Sequence, residues 1–212
     1  MIFLDLPSLG RQIFLLIYIM DLKAIKENIV RFSKEQQVKE AVEYLVETYG
    51  LAHRNLHGFE LRSETSPNSL LLTAEGLIGG KQTVYLPQNI LHFDLSLILN
   101  MIAHEMLHVR QKDPKNPIDD KNEREWQAYY EMLFHRNFPL IPDAPDFNRI
   151  QFAQKALEYY KRMGDGSPLQ EHYKEEKNRL EALLENLLSK KKLSTNVNSS
   201  TPAPNEPNNL HQ

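Results

Sequence analysis

Residues 94–111, DLSLILNMIAHEMLHVRQ, constrain the fold of this chain more than any other stretch. Leu95, Leu97, Ile98, Leu99, Met101, Ile102, Ala103, Met106 and Leu107 leave hardly any polar face on a helix. A helix that is apolar all round is one that other elements pack around, so this segment is expected to be central and buried. Asp94 stands where an N-cap belongs. Three ionisable residues, His104, Glu105 and His108, interrupt the apolar sequence. Burying polar groups costs free energy unless each finds a partner, so their spacing has to be explained.

His104 and His108 are four apart, which puts both imidazoles on one helix face, one turn apart. Two such nitrogens can reach one Zn²⁺ at about 2.0–2.1 Å each. Glu105 lies about 100° round the helix from His104, too far round to complete the same ligand set. It can instead face a water at the metal and take its proton. This is the physical content of an HExxH pattern. The bland alternative is a pair of core histidines bonded to backbone, with Glu105 in an ion pair.

Around this segment the chain reads as helices with one interruption. Residues 20–32 and 33–50 form one or two amphipathic helices, with Val38, Ala41, Val42, Leu45 and Val46 as the apolar stripe. Ser33 and Gln36 are spaced as a capping box, and Gly50 is a natural stop. From Gly58 to Pro87 the period changes. GFELRS, SLLLTAEG and QTVYLP read as three short strands, separated by turn residues and expected to form an antiparallel meander. After the apolar helix come a loop with two prolines and a helix from Asp120, with Glu123 at the N3 position. Two further helices follow, the second capped by Ser167 before Pro168. The final one carries the stripe Leu180, Leu183, Leu184, Leu187 and Leu188. From about Leu193 the chain is almost free of apolar residues and reads as a disordered tail. The expected class is α+β: a helix-rich domain over residues 21–190 with a short antiparallel sheet packed on the HExxH helix, an apolar segment over 1–20, and a tail over 191–212.

Composition narrows the chemistry. The 212 residues include no Cys, so disulfides and thiolate metal sites are excluded, and a metal has to be held by His, Glu, Asp or water. The formal charge of −3 points to no nucleic-acid partner. Ile13 to Met20 is an apolar run far short of the ~20 residues a membrane span needs, so no clear membrane association is expected. An Arg precedes that run, but no small-x-small cleavage site follows it. Residues 1–19 are therefore read as a translated extension before Met20, or a buried strand, ahead of a weak export signal. The expected compartment is the cytoplasm, with export as the alternative. Other histidines carry less. His53 and His57 are four apart with no Glu between them, and Trp126 reads as a core anchor. No acidic or basic cluster in the sequence marks a specificity pocket.

The HEMLH segment resembles the zincin metallopeptidases. The extended metzincin pattern is excluded, because Gln111 and Pro114 stand where its Gly and third His belong. EWQA, Glu125 to Ala128, is similar to the downstream segment of the gluzincin type, although Tyr129 stands where an Asp often follows. The resemblance covers residues ~90 to ~135. It implies a zinc peptidase acting on peptide or protein substrates, with His104, His108 and Glu125 as metal ligands and Glu105 as general base. It also implies an edge strand over the metal, for which TVYLP is the candidate. Glu125 is preferred to Glu123 as third ligand because it shares a face with Ala128 and Met132, the face that must approach the apolar helix; Glu123 is expected to turn back onto the helix start. Asp119 and Asp120 are the next choices. For the oxyanion donor, His135, Tyr129, Tyr130, Tyr159 and Tyr160 are all open. The competing functions are a zinc-binding but non-proteolytic interaction domain using the same groove, and a helical interaction protein using its last helix.

Overall fold

The computed structural model describes residues 22–63 and 67–198, with the backbone alone at 194–198. The expectations for residues 1–19 and for the chain beyond Asn198 fall outside these residues. The fold is α+β and rich in helix. Chain order runs α1 (residues 22–34), α2 (Val38–Thr48), β1 (Leu56–Arg62), β2 (Thr73–Glu75), β3 (Gln82–Pro87), a 3₁₀ turn (Ile90–His92), α3 (Leu95–Gln111), α4 (Lys121–Phe134), α5 (Asp146–Arg162), α6 (Pro168–His172) and α7 (Lys174–Asn198). None of the described helices is long and apolar enough to cross a membrane.

Helix α3 is the axis of the core, as its composition requires. Ile98, Leu99, Ile102, Ala103, Met106, Leu107 and Val109 are all buried. They pack with Ala41, Val42, Leu45 and Val46 of α2 and with Phe59, Val84 and Leu86 of the sheet. A second cluster joins α4, α5 and α7 through Trp126, Tyr130, Ala153, Ala156 and Leu180. Met101 packs against both clusters and links them. The expected caps form. Asp94 accepts from the Ser96 and Leu97 amides, Asp120 from that of Glu123, and Ser167 from that of Gln170 ahead of α6. Such caps satisfy amides that have no partner inside their helix.

Five expectations are corrected. The sheet is mixed rather than an antiparallel meander: its order is β1-β3-β2, with β1 and β3 parallel and β2 antiparallel to β3. Alternation tells which face of a strand is buried, not which strand is its neighbour. Here Val84 and Leu86 are fully buried, so β3 takes the central place, flanked on both sides. The strand read over SLLLTAEG shrinks to Thr73–Glu75, with Leu72 joining the core just before it.

Ser33 does not cap α2. It lies in α1, and the turn that follows that helix puts Gln36 in the left-handed region (φ 56°), with Gln36 N donating to Ser33 O and Gln37 N to Phe32 O. Gln37 then starts α2 without a side-chain cap bond. The last helix is two: a short α6 stops at Tyr173 before α7 begins. Finally, α7 runs to Asn198, past the expected end of the domain at residue 190.

Candidate metal centre

His104 and His108 project from the last turns of α3, and Glu125 reaches them from the second turn of α4. Ala128, with no exposed surface, sits in the core formed around α3, and its small side chain lets the two helices approach. His104 Nε2 and His108 Nε2 are 3.1 Å apart, with the rings nearly perpendicular at 88°. The two Glu125 carboxylate oxygens lie 3.7 Å from one ring nitrogen each. Among the described residues this is the one group of three or more His, Asp or Glu side chains that could hold a metal.

The donor set fits zinc. A tetrahedron with ligand distances of about 2.0–2.1 Å has edges of about 3.3 Å, and the measured edges of 3.1 and 3.7 Å bracket that value. The hydrogen bonds around His108 point the same way. Gln111 Nε2 donates to Arg124 O and Gln127 Oε1, both at 3.0 Å, which turns its Oε1 to His108 Nδ1 at 2.8 Å. An acceptor there requires Nδ1 to carry the proton, so the Nε2 lone pair of the neutral ring faces Glu125 and His104. Three potential ligands thus converge on one point, an arrangement able to hold a cation. His104 Nδ1 is buried without a hydrogen-bond partner; the edge of that ring rests against Tyr129, with centroids 4.6 Å apart.

Charge follows from this arrangement. Burial works against an ionised Glu125, yet the two imidazoles outweigh it and hold the carboxyl well below the usual carboxylate range. Burial likewise opposes a charged His108, but Glu125, Glu105 and Gln111 together push it above its ordinary value. A divalent cation bound here would take the place of that proton.

Glu105 is buried, lines the same cleft and is not one of the three converging ligands. Its Oε2 accepts from Ala74 N at 2.7 Å, and Lys112 Nζ donates to Ala74 O at 2.9 Å. Both backbone groups of Ala74 therefore point to α3, away from β3. The strand beside the site is β2; TVYLP, the expected edge strand, is the central β3. The cleft has a volume of about 520 Å³.

The remaining candidates separate clearly. Glu123 neither reaches the metal group nor folds back on the helix start; its Oε1 accepts from Tyr173 Oη at 2.6 Å. Glu131 is buried and accepts from the Asn137 and Phe138 amides, tying down the turn after α4. His135 faces Asp143, and Tyr130 and Tyr160 pack around Trp126. Tyr129 alone of the five oxyanion candidates lines the cleft, with Tyr159 stacked behind it. His57 is exposed, and His53 is near Asp113 rather than a second metal group. The sequence reading missed the part played by Gln111. Its signal was the i, i+3 spacing from His108 on α3, which brings the two side chains together.

We expect Gln111→Met to weaken zinc binding about 10–100-fold, the usual cost of losing a group that orients a ligand histidine. A chelator competition against the unaltered chain measures this, and an unchanged affinity would remove Gln111 from the site.

No family model, curated protein or solved structure matches the chain.

Proposed function

We propose that the protein is a zinc-dependent peptidase. The observation that carries this reading is the convergence of His104, His108 and Glu125 in an open cleft that Glu105 also lines, outside the ligand set. Three protein ligands leave a fourth position free, which is what distinguishes catalytic from structural zinc sites. When bound, zinc supplies Lewis acidity, polarising a carbonyl and drawing the pKa of a water from ~15.7 towards ~7.

The chain's own groups do the rest. With Oε2 held by the Ala74 amide, Glu105 has its other oxygen available to take a proton from the attacking water. It then returns that proton to the leaving amine. Lys112 clamps the Ala74 carbonyl, so the strand that positions Glu105 is fixed from two sides. Negative charge developing on the carbonyl oxygen needs a neutral or cationic donor. Burial is the main cause that pushes the Tyr129 hydroxyl up to about 12, so it keeps its proton at neutral pH and can donate. The Thr73 hydroxyl, also at the cleft, is engaged with Arg62 and Glu75.

The test is metal content followed by hydrolysis of casein or a peptide pool, with and without a chelator. About one zinc per chain and chelator-sensitive cleavage are expected for a three-ligand site. A protein that takes up no zinc on dialysis against it would overturn the proposal. Tyr129→Phe should retain zinc and lower kcat ~10²-fold, the lower end for a lost oxyanion donor. An unchanged kcat would assign that role elsewhere.

A further inference from the structure

The cleft is chemically lopsided. Beyond His108 it is lined by Lys112 at the end of α3 and by Lys121 and Arg124 in the first turn of α4. Leu71, Leu72, Met101 and Phe152 line it as well, and give an apolar wall. Lys121 and Arg124 are three apart and share a helix face. Arg124 lies close enough to Lys112 to disfavour its charge, adding to the larger effect of burial.

None of the three cations is in an ion pair with a carboxylate among the described residues. The fourth cation of the cleft, Lys155, is paired with Glu158 at 2.8 Å. The carboxylates at the cleft are Glu105 and Glu125, and together they balance one Zn²⁺. With both carboxylates matched by the metal, the three cations stand in excess, Glu75 being the other carboxylate that acts on Lys112, in a chain whose net charge is −3. Like charges gathered without counter-ions cost stability, and a cleft lined by one sign of charge concentrates ligands of the other. Arg124 is also fixed in place: its Nη1 donates to Ile118 O at 2.6 Å and Asp119 O at 2.8 Å. Its other N–H groups are left to meet a ligand.

We propose that Lys112, Lys121 and Arg124 form a carboxylate subsite, so that the cleft selects peptides carrying an acidic group close to the bond at the metal. This rests on the peptidase reading. The carboxylate can come from an Asp or Glu side chain or from the peptide's own C-terminus. In both cases it meets a guanidinium fork flanked by two ammonium groups, a geometry suited to a planar anion.

The experiment measures binding apart from cleavage. The full chain carrying Glu105→Gln is loaded with zinc and titrated calorimetrically with a matched peptide set. One position on either side of a central apolar residue holds Glu, Gln or Lys, and each peptide has a free or an amidated C-terminus. Glu peptides should bind about 3- to 10-fold more tightly than Gln peptides at low salt, and Lys peptides more weakly than either. The difference should shrink at high ionic strength.

Lys121→Glu, placed in the same protein, should invert the Glu-to-Lys order. Lys121 is exposed and makes no side-chain hydrogen bond among the described residues, so this variant leaves the fold alone. Preference for a free C-terminus over an internal Glu would identify the terminal carboxylate as the source. Equal binding of all peptides, or binding of none, overturns the subsite. Acid-selective binding with no cleavage by the unaltered protein sinks the peptidase reading and leaves the subsite standing. Cleavage without acid-selective binding does the reverse.

Discussion

Glu105→Gln is expected to keep its zinc and lose its hydrolysis. Gln has the same size, and its carbonyl oxygen can still accept from Ala74 N, the bond that pins this side chain to β2. The three proposed metal ligands are untouched, because Glu105 is not among them. What is lost is the oxygen that accepts a proton, since an amide is far too weak a base at neutral pH. Removal of a general base costs about 10²–10⁴-fold in rate. Zinc content and peptide turnover, measured on the same sample, check both halves. Full turnover with zinc in place would move the base elsewhere. The same experiment separates the peptidase from a zinc-binding interaction domain. In such a domain neither the unaltered chain nor the variant cleaves anything, and Glu105 serves only to hold β2 against α3.

The helices were legible because their ends and faces are written locally. Asp94, Asp120 and Ser167 each stand one residue before a helical pattern, and each caps it. His104 and His108 share a face by spacing alone. The strand order was not legible, because a period of two records faces and not neighbours. β3 became central through the burial of Val84 and Leu86, which only the assembled core decides. This is also why the strand beside Glu105 is β2 and not TVYLP.

The basic end of the cleft was hidden for a related reason. Lys112 lies before the loop and Lys121 and Arg124 after it, so no run of charge appears in the sequence; the turn from α3 into α4 gathers them. Gln36 misled because Ser33 and Gln36 have capping-box spacing, while α1 continues through Ser33 and leaves Gln36 to adopt the left-handed turn. The role of Glu131 was not legible either, because its three bonds to the Asn137 and Phe138 amides depend on where the chain goes after α4.

Glu125→Gln is expected to weaken zinc binding by more than about 100-fold, beyond the range for residues that only orient a ligand, while Glu123→Gln leaves it nearly unchanged. The two carboxylates are two residues apart, about 200° round α4, and the structure sends them to different partners. Both oxygens of Glu125 lie 3.7 Å from the ring nitrogens of His104 and His108. Glu123 accepts from Tyr173, at the break between α6 and α7. Glu125→Gln removes the only negative charge in the ligand set. Glu123→Gln keeps the size of a side chain whose oxygen still accepts from Tyr173, so its effect belongs to the packing of α4 against α6 and to stability. Zinc affinity by chelator competition, with melting temperature measured alongside, separates the two roles. Strong weakening by Glu123→Gln with none by Glu125→Gln would reverse the assignment. If neither variant weakens zinc, the His–His–Glu centre itself is wrong. The next ligand to test would then be Asp119, since Asp120 is committed to the α4 cap.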